Sequence, residues 1–305
     1  ANAQDPMFSQ FYANPIYLNP ALAGSNGCPR IALNYRNQWP SLSGTFVTYS
    51  ASYDQYFKKM SGGIGVIVTH DQMGKNTINA STLSFIYSYH LKVSRKFSLM
   101  FGAKATWNQK FLDWNKLTFG DMIDPRRGFI YQTGDQVRGG SKGFFDVSAG
   151  LVGFTKHFYF GVAAYHLNRP DESLIQGPTG NDKMPMRFVA HAGAEIPLGA
   201  QSKYNNTASI SPSVIYQYQQ GFMELCIGTY IKYGIFQVGF WFRNRDAFIS
   251  TIGINTGMFK IGYSYDVTVS KLTNQSGGSH EVSLGLNLNC KTKPATFRTI
   301  SCPSF

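Results

Sequence analysis

Residues 279–290 read SHEVSLGLNLNC. Val282, Leu284, Leu286 and Leu288 fall on one side of an extended chain, and Glu281, Ser283, Gly285, Asn287 and Asn289 on the other. Successive side chains of a strand leave the backbone in opposite directions, so period two with one apolar face reads as a β-strand. The pattern recurs upstream. In 259–269, Phe259, Ile261, Tyr263, Tyr265, Val267 and Val269 oppose Lys260, Gly262, Ser264, Asp266 and Thr268. In 222–233, Met223, Leu225, Ile227, Ile231 and Tyr233 oppose Phe222, Glu224, Cys226, Gly228 and Lys232. In 82–91, Leu83, Phe85, Tyr87, Tyr89 and Leu91 share a face.

The polar face decides between a soluble sandwich and a membrane barrel. A sandwich turns Lys- and Glu-rich faces to water. Here that face is Gly, Ser, Thr and Asn with isolated charges such as Lys104, Arg187, Glu195 and Glu224, while the apolar face carries Tyr, Phe and Trp. Lipid outside, a crowded polar interior and aromatic girdles produce this division. Composition agrees: 43% of the 305 residues are hydrophobic, but only 14% are charged, against about 25% in soluble proteins. The 24 Phe, 18 Tyr and 31 Gly exclude a disordered chain. No stretch approaches the roughly 20 apolar residues of a helical span. The expected class is all-β, a single transmembrane antiparallel β-barrel in an outer membrane.

Alternating runs are read at about 30–38, 45–57, 62–72, 77–91, 97–112, 144–156, 158–167, 186–197, 207–219, 222–233, 235–245, 247–256, 258–270 and 279–290. Fourteen is even, so both termini are expected in the periplasm. Short connections alternate with long ones. The long set, 113–143, 168–185 and 271–278, is placed outside the cell. The short set gathers the basic residues Lys58, Lys59, Lys92, Arg95, Lys96 and Lys156 into a cationic periplasmic rim. The net charge of +12 is scattered over such turns, which argues for membrane lipids or an acidic partner rather than nucleic acid.

Residues 1–29 hold four prolines and no period, so they cannot make a regular strand. They are read as an ordered extension, folded into the lumen as a plug or laid across a rim. Residues 30–290 form the barrel and 291–305 a periplasmic tail. Ala1-Asn2-Ala3 looks like the end of a cleaved export signal. Cys28, Cys226, Cys290 and Cys302 show no metal spacing, and pairing among Cys28, Cys290 and Cys302 stays open. The six histidines show no ligand spacing, and no GxSxG or Walker loop appears, so no cofactor, metal site or enzyme activity is expected. Inward charges, Arg36, Lys104, Arg187, Glu195, Glu224, Asp266 and Glu281, would line a channel or pair to close it.

Gln4-Asp5-Pro6-Met7-Phe8-Ser9-Gln10-Phe11-Tyr12, then Asn14-Pro15 and Leu18-Asn19-Pro20-Ala21-Leu22-Ala23-Gly24, resembles the opening of the PorP/SprF family. Arg36-Asn37-Gln38-Trp39-Pro40, Tyr49-Ser50-Ala51-Ser52-Tyr53-Asp54 and Gly62-Gly63-Ile64-Gly65 continue the likeness, which is densest over residues 4–90. The resemblance implies an outer-membrane protein of the type IX secretion and gliding machinery of Bacteroidota, with FadL-like barrel architecture. It implies type IX secretion components as partners, and a role in retaining or secreting large adhesins that bear a type-B C-terminal domain. The terminal aromatic, Phe305, lies fifteen residues past the last run, unlike the usual barrel ending.

Loops as long as 113–143 seldom lack a role. Trp107, Trp114, Phe119, Arg126, Arg127, Phe129, Tyr131 and Arg138 are therefore the candidate partner-binding residues. Gln4, Asp5, Pro6, Phe8, Phe11, Tyr12, Asn14, Pro15, Asn19 and Pro20 are the candidate plug motif. The competing reading is a porin or transporter for small, hydrophobic solutes, and the state of the lumen discriminates the two.

Overall fold

The computed structural model describes residues 5–42, 44–117, 120–124, 126–131, 140–172, 183–198, 208–269 and 277–288, with Asp121 and Phe129 described in backbone only. Fourteen antiparallel strands close into one barrel. They are β1 (Arg30–Gln38), β2 (Phe46–Phe57), β3 (Gly62–Met73), β4 (Ile78–Lys92), β5 (Ser98–Leu112), β6 (Ser141–Phe154) and β7 (Phe158–Tyr165). Then follow β8 (Arg187–Ala194), β9 (Ala208–Gln219), β10 (Phe222–Tyr233), β11 (Phe236–Arg243), β12 (Ala247–Asn255), β13 (Phe259–Thr268) and β14 (Ser279–Asn287). Each pairs with the next, and β1 closes on β14 in a register from Arg30 opposite Asn287 to Gln38 opposite Ser279. The run expected over 186–197 is one strand in two pieces: the chain breaks at Glu195 and Ile196–Leu198 resumes pairing with β9. The expected count of fourteen stands.

No helix among the described residues is long and apolar enough to cross a membrane, so any crossing falls to the strands. Their outer face carries Val68, Leu83, Val162, Val214, Ile227 and Ile252, all exposed, between two aromatic belts. Phe57, Tyr89, Phe101, Phe158, Tyr233 and Phe259 stand near one rim, and Tyr49, Trp107, Phe145, Tyr218, Phe242 and Phe248 near the other. In water so much apolar surface would be a liability; in a bilayer it is the solvated face. The inner face holds the buried hydroxyls Ser50, Ser84, Thr106, Ser148 and Ser213.

Both barrel ends, Arg30 and Asn287, lie on one rim. Its connections are short apart from 199–207, and Lys58, Lys59, Lys92, Arg95, Lys96 and Lys156 are exposed on it. The opposite rim carries the connections 113–140, 166–186 and 269–278.

The first described residue lies toward that opposite rim. Asp5 meets His166 and Arg187, where β7 ends and β8 begins. From there the chain descends the lumen through a single helical turn, α1 (Pro15–Leu18), and a 3₁₀ turn (Pro20–Leu22) to Gly24, beside Asp54 near the short-turn rim. Arg30 and Asn287 share one rim, whereas Asp5 lies toward the other; of the two expected courses, lumen or rim, the N-terminal segment takes the lumen and runs the length of the barrel. A fourteen-stranded wall leaves a lumen that side chains alone do not fill. Phe11, Tyr12, Leu18 and Leu22 complete the core with Tyr159, Ile215, Tyr230 and Trp241 of the wall. Phe11 and Trp241 stand 5.1 Å apart between ring centres, and Tyr12 and Tyr159 6.0 Å. A cavity beside Met7, Phe8, Tyr17 and Arg187 is about 20 Å³, room for about one water.

Candidate functional site

The wall grips the segment at three levels. The first is the closing seam. Ser9 Oγ donates to Asp266 Oδ2 at 2.6 Å and accepts from Arg36 Nη1 at 2.6 Å and Arg243 Nη2 at 2.9 Å, which uses all its hydrogen-bonding capacity. The backbone N–H groups of Ser9 and Gln10 donate to the two oxygens of Glu281 at 2.6 and 3.1 Å. The Gln10 side chain donates to the Glu281 carbonyl and accepts from Ser283 Oγ. Arg36 pairs with Asp266 at 2.9 Å and Glu281 at 3.3 Å, and Arg243 reaches Asp246 at 3.0 Å, Asp266 at 3.4 Å and Glu224 at 3.5 Å. Four strands, β1, β11, β13 and β14, thus converge on two residues. Charges this deeply buried are stable only when fully paired, and the segment supplies part of the pairing.

The second level is a recess made by inward-facing glycines. A Cβ at Gly63 would lie 2.1 Å from the Ala23 carbonyl oxygen, at Gly102 2.2 Å from the Ala21 nitrogen, and at Gly150 2.1 Å from Asn19 Oδ1. Only a bare backbone lets the 3₁₀ turn lie this close. Asn19 Oδ1 caps that turn by accepting from the Ala21 N–H, while its Nδ2 donates to the Val162 carbonyl at 3.1 Å. Ser88 Oγ donates to the Ala21 carbonyl, His90 Nε2 to the Ala23 carbonyl, and the Gly24 N–H to Asp54. Asn14 Nδ2 donates to Ser50 Oγ at 2.8 Å.

The third level is an ion cluster toward the long-loop rim. His166, left-handed at φ 59°, sets Nε2 2.8 Å from Asp5 Oδ2 and Nδ1 3.2 Å from Asp146 Oδ2. Burial alone would push this imidazole down, but the two carboxylates outweigh it and raise its pKa to about 9. Burial would raise the Asp5 carboxyl. Arg187, then His166 and Lys104, overcome that and hold it well below the usual carboxylate range.

Of the expected plug motif, Gln4 lies outside the described residues, and the others sit in the lumen. Pro6 accepts at its carbonyl from the Tyr17 hydroxyl, Phe8 packs edge-on against Tyr17, and Pro15 and Pro20 open the two turns, where a missing N–H costs nothing. Of the inward charges expected, Arg36, Arg187, Glu224, Asp266 and Glu281 are buried, whereas Glu195 sits in the break of β8. Arg243, Asp146 and His166 were not singled out by sequence; Arg243 was findable from its polar parity on β11. Ser84 bonds Thr106, and His90 bonds the Ala23 carbonyl. Among the described residues no three His, Cys, Asp or Glu side chains gather as a metal site. Cys28 is disulfide-bonded and Cys226 is a buried free thiol; Cys290 and Cys302 lie outside the described residues.

The candidate partner residues divide. Asp124 accepts from the Arg126 and Arg127 N–H groups at 2.8 Å and from the Tyr131 hydroxyl at 3.1 Å. These N–H bonds depress its pKa. The turn they tighten ends a small ribbon pairing Ile123–Asp124 with Gly128–Phe129, and it presents Arg126, Arg127 and Tyr131 together, exposed, with Ile123 and Ile130. Trp114 is half-buried in a 3₁₀ turn, Trp114–Lys116. Trp107 is not with them: strand parity turns it outward on β5, between Leu83 and Phe145, within the aromatic belt. Phe119 and Arg138 lie outside the described residues.

Residues 1–286 match the family described as type IX secretion system membrane protein PorP/SprF. The chain belongs to the PorP/SprF family. It is accordingly an outer-membrane β-barrel of type IX secretion. A comparison with curated proteins found no match. Similar solved structures include the toluene transporter TbuX of Ralstonia pickettii, 11% identical over 92% of this chain and 95% of that one, TM-score 0.49. The CymD monoaromatic hydrocarbon channel is 12% identical over 93% and 94%, TM-score 0.49. Omp33 of Acinetobacter baumannii is 8% identical over 86% and 100%, TM-score 0.46. In this PorP/SprF barrel the lumen holds the chain's own N-terminal segment.

Proposed function

We propose that this barrel holds the C-terminal domain of a large secreted adhesin at the cell surface, with residues 5–24 serving as a fixed plug. The long-loop rim faces outward and receives the adhesin; the strand ends and cationic rim face the periplasm, toward anionic lipid and other type IX components. The filled lumen carries the reading. A membrane protein whose channel is occupied from Phe8 to Gly24 offers partners its rims rather than a passage. The ribbon with Ile123, Arg126, Arg127, Ile130 and Tyr131 is an exposed apolar and cationic feature of the outward rim, and Tyr and Arg are enriched at protein interfaces.

Purification from native outer membranes in mild detergent, with mass spectrometry of what accompanies the barrel, tests this. A very large secreted protein or secretion components at near-equal stoichiometry is the expected result, reduced by Tyr131→Ser combined with Ile123→Asp. A lone barrel that passes solutes would make it a porin.

A further inference from the structure

The two edges of β6 are treated differently. Toward β5 it is laddered from Ser141 to Phe154. Toward β7 the ladder covers only Ala149–Phe154, because β7 stops at Tyr165. The wall is short there, and β6 rises past it. Just above the ladder one side chain stands in for a strand: the Leu167 N–H donates to the Val147 carbonyl at 2.9 Å, Asn168 Oδ1 accepts from the Val147 N–H at 3.1 Å, and Asn168 Nδ2 donates to the Phe145 carbonyl at 2.7 Å. The chain then turns away. Arg169 is left-handed at φ 45°, and Asp171 and Glu172 pair with Lys142 at 2.7 Å and Lys110 at 2.5 Å, both on the lumen side of their strands. As far as Glu172 the chain therefore turns over the lumen mouth, and among the described residues nothing pairs with the outer edge of β6 beyond the Asn168 contacts.

Backbone groups alternate in direction along a strand. Those of Val147 point toward β7, so those of Phe145 and Gly143 do as well. The Phe145 N–H and both backbone groups of Gly143 have no partner among the described residues. Both residues are exposed, and the Trp107 ring lies over Gly143, where a Cβ would come within 2.6 Å of it. With Phe111 and Phe145 it forms an apolar shelf beside the edge. Closed barrels abolish free edges, and an open row of donors and acceptors pairs with an extended backbone.

We infer that Gly143–Phe145 is a strand-addition site, at which an extended segment of the secreted partner pairs with β6 and lays an apolar side chain on the Trp107–Phe145 shelf. This rests on the proposed function, in which the long-loop rim meets that partner.

The test measures binding of a separately purified adhesin C-terminal domain to the full-length barrel in detergent. Phe145→Pro removes an N–H that the β5 ladder does not use; binding is expected to weaken about tenfold or more. Phe145→Ala keeps the N–H and is expected to lose less. Amide exchange on the unaltered protein is a second readout, independent of whether the proline variant folds: Gly143 and Phe145 should exchange fast in the free barrel and slow in the complex. Equal binding by Phe145→Pro, or unprotected amides in the complex, would overturn the site while leaving the anchoring role intact. No binding by the unaltered barrel would remove both.

Discussion

At the scale of single residues, the chemistry that fixes the N-terminal segment is ionic and depends on pH. His166 gains a folded pKa of about 9 from Asp5 and Asp146, above its ordinary 6.5. The charged form is thus favoured by folding, and the stability it adds is complete below the unfolded pKa and lost as pH rises through about 9. Asp5 has the opposite sign: its depressed pKa adds stability above the unfolded value of 3.8, lost as pH falls below that. The tether therefore holds from mildly acid pH to about 9. Raising pH from 8 to 10 is expected to lower the amide protection factors of residues 5–12, that is, exchange corrected for its base-catalysed rise with pH, without lowering those of the strands. His166→Gln should show low protection over these residues at both pH values. A step that persists in that variant would place the titrating group elsewhere.

Elements were unequally legible in the sequence. The strands were readable because lipid on one side and a polar lumen on the other enforce period two in every run. The exceptions are local: Glu195 interrupts β8 with no loss of alternation around it, and Trp107 reads as a loop aromatic unless the parity of β5 is followed to its end. The path of the N-terminal segment was not readable. It has no period, and its partners are side chains up to 273 positions away, as in Ser283 with Gln10. The inward glycines were visible as members of a polar face, but what approaches them was not. They permit a test at this scale. Gly102→Ala puts a methyl group 2.2 Å from the Ala21 nitrogen, a backbone atom that cannot swing away. The 3₁₀ turn should leave its recess, with amide exchange at Ala21–Gly24 rising about tenfold or more while the β4–β5 ladder stays protected. Gly285→Ala is the control, since its methyl would meet only the Lys260 side chain at 3.3 Å. Protection of Ala21–Gly24 in both variants would mean that close approach is not what seats the turn.

For the molecule as a whole, the question is whether a fourteen-stranded wall carries anything through it. The wall's inner face is polar enough to hold water, with Ser50, Thr106, Asp146, Ser211 and Glu224 facing inward, so an emptied barrel of this size should conduct ions. The segment from Phe8 to Gly24 occupies that space: its aromatics pack against Trp241, Tyr230 and Tyr159, and its polar atoms bond to the seam charges that water would otherwise have to solvate. The full-length barrel in a planar bilayer is therefore expected to give no steady current above the lipid background. A variant lacking residues 5–24 should give stable channel openings, provided its heat-modifiable gel mobility shows a closed barrel. The seam is where this variant is weakest, because Arg36, Arg243, Asp266 and Glu281 lose Ser9 and Gln10; Asp266→Asn with Glu281→Gln would increase the local positive charge and is expected to reduce closure further. Equal conductance by both forms would end the plug reading, since current would then pass a lumen the segment does not block. Conductance confined to the shortened form would leave the rims as the places where this barrel meets its partners.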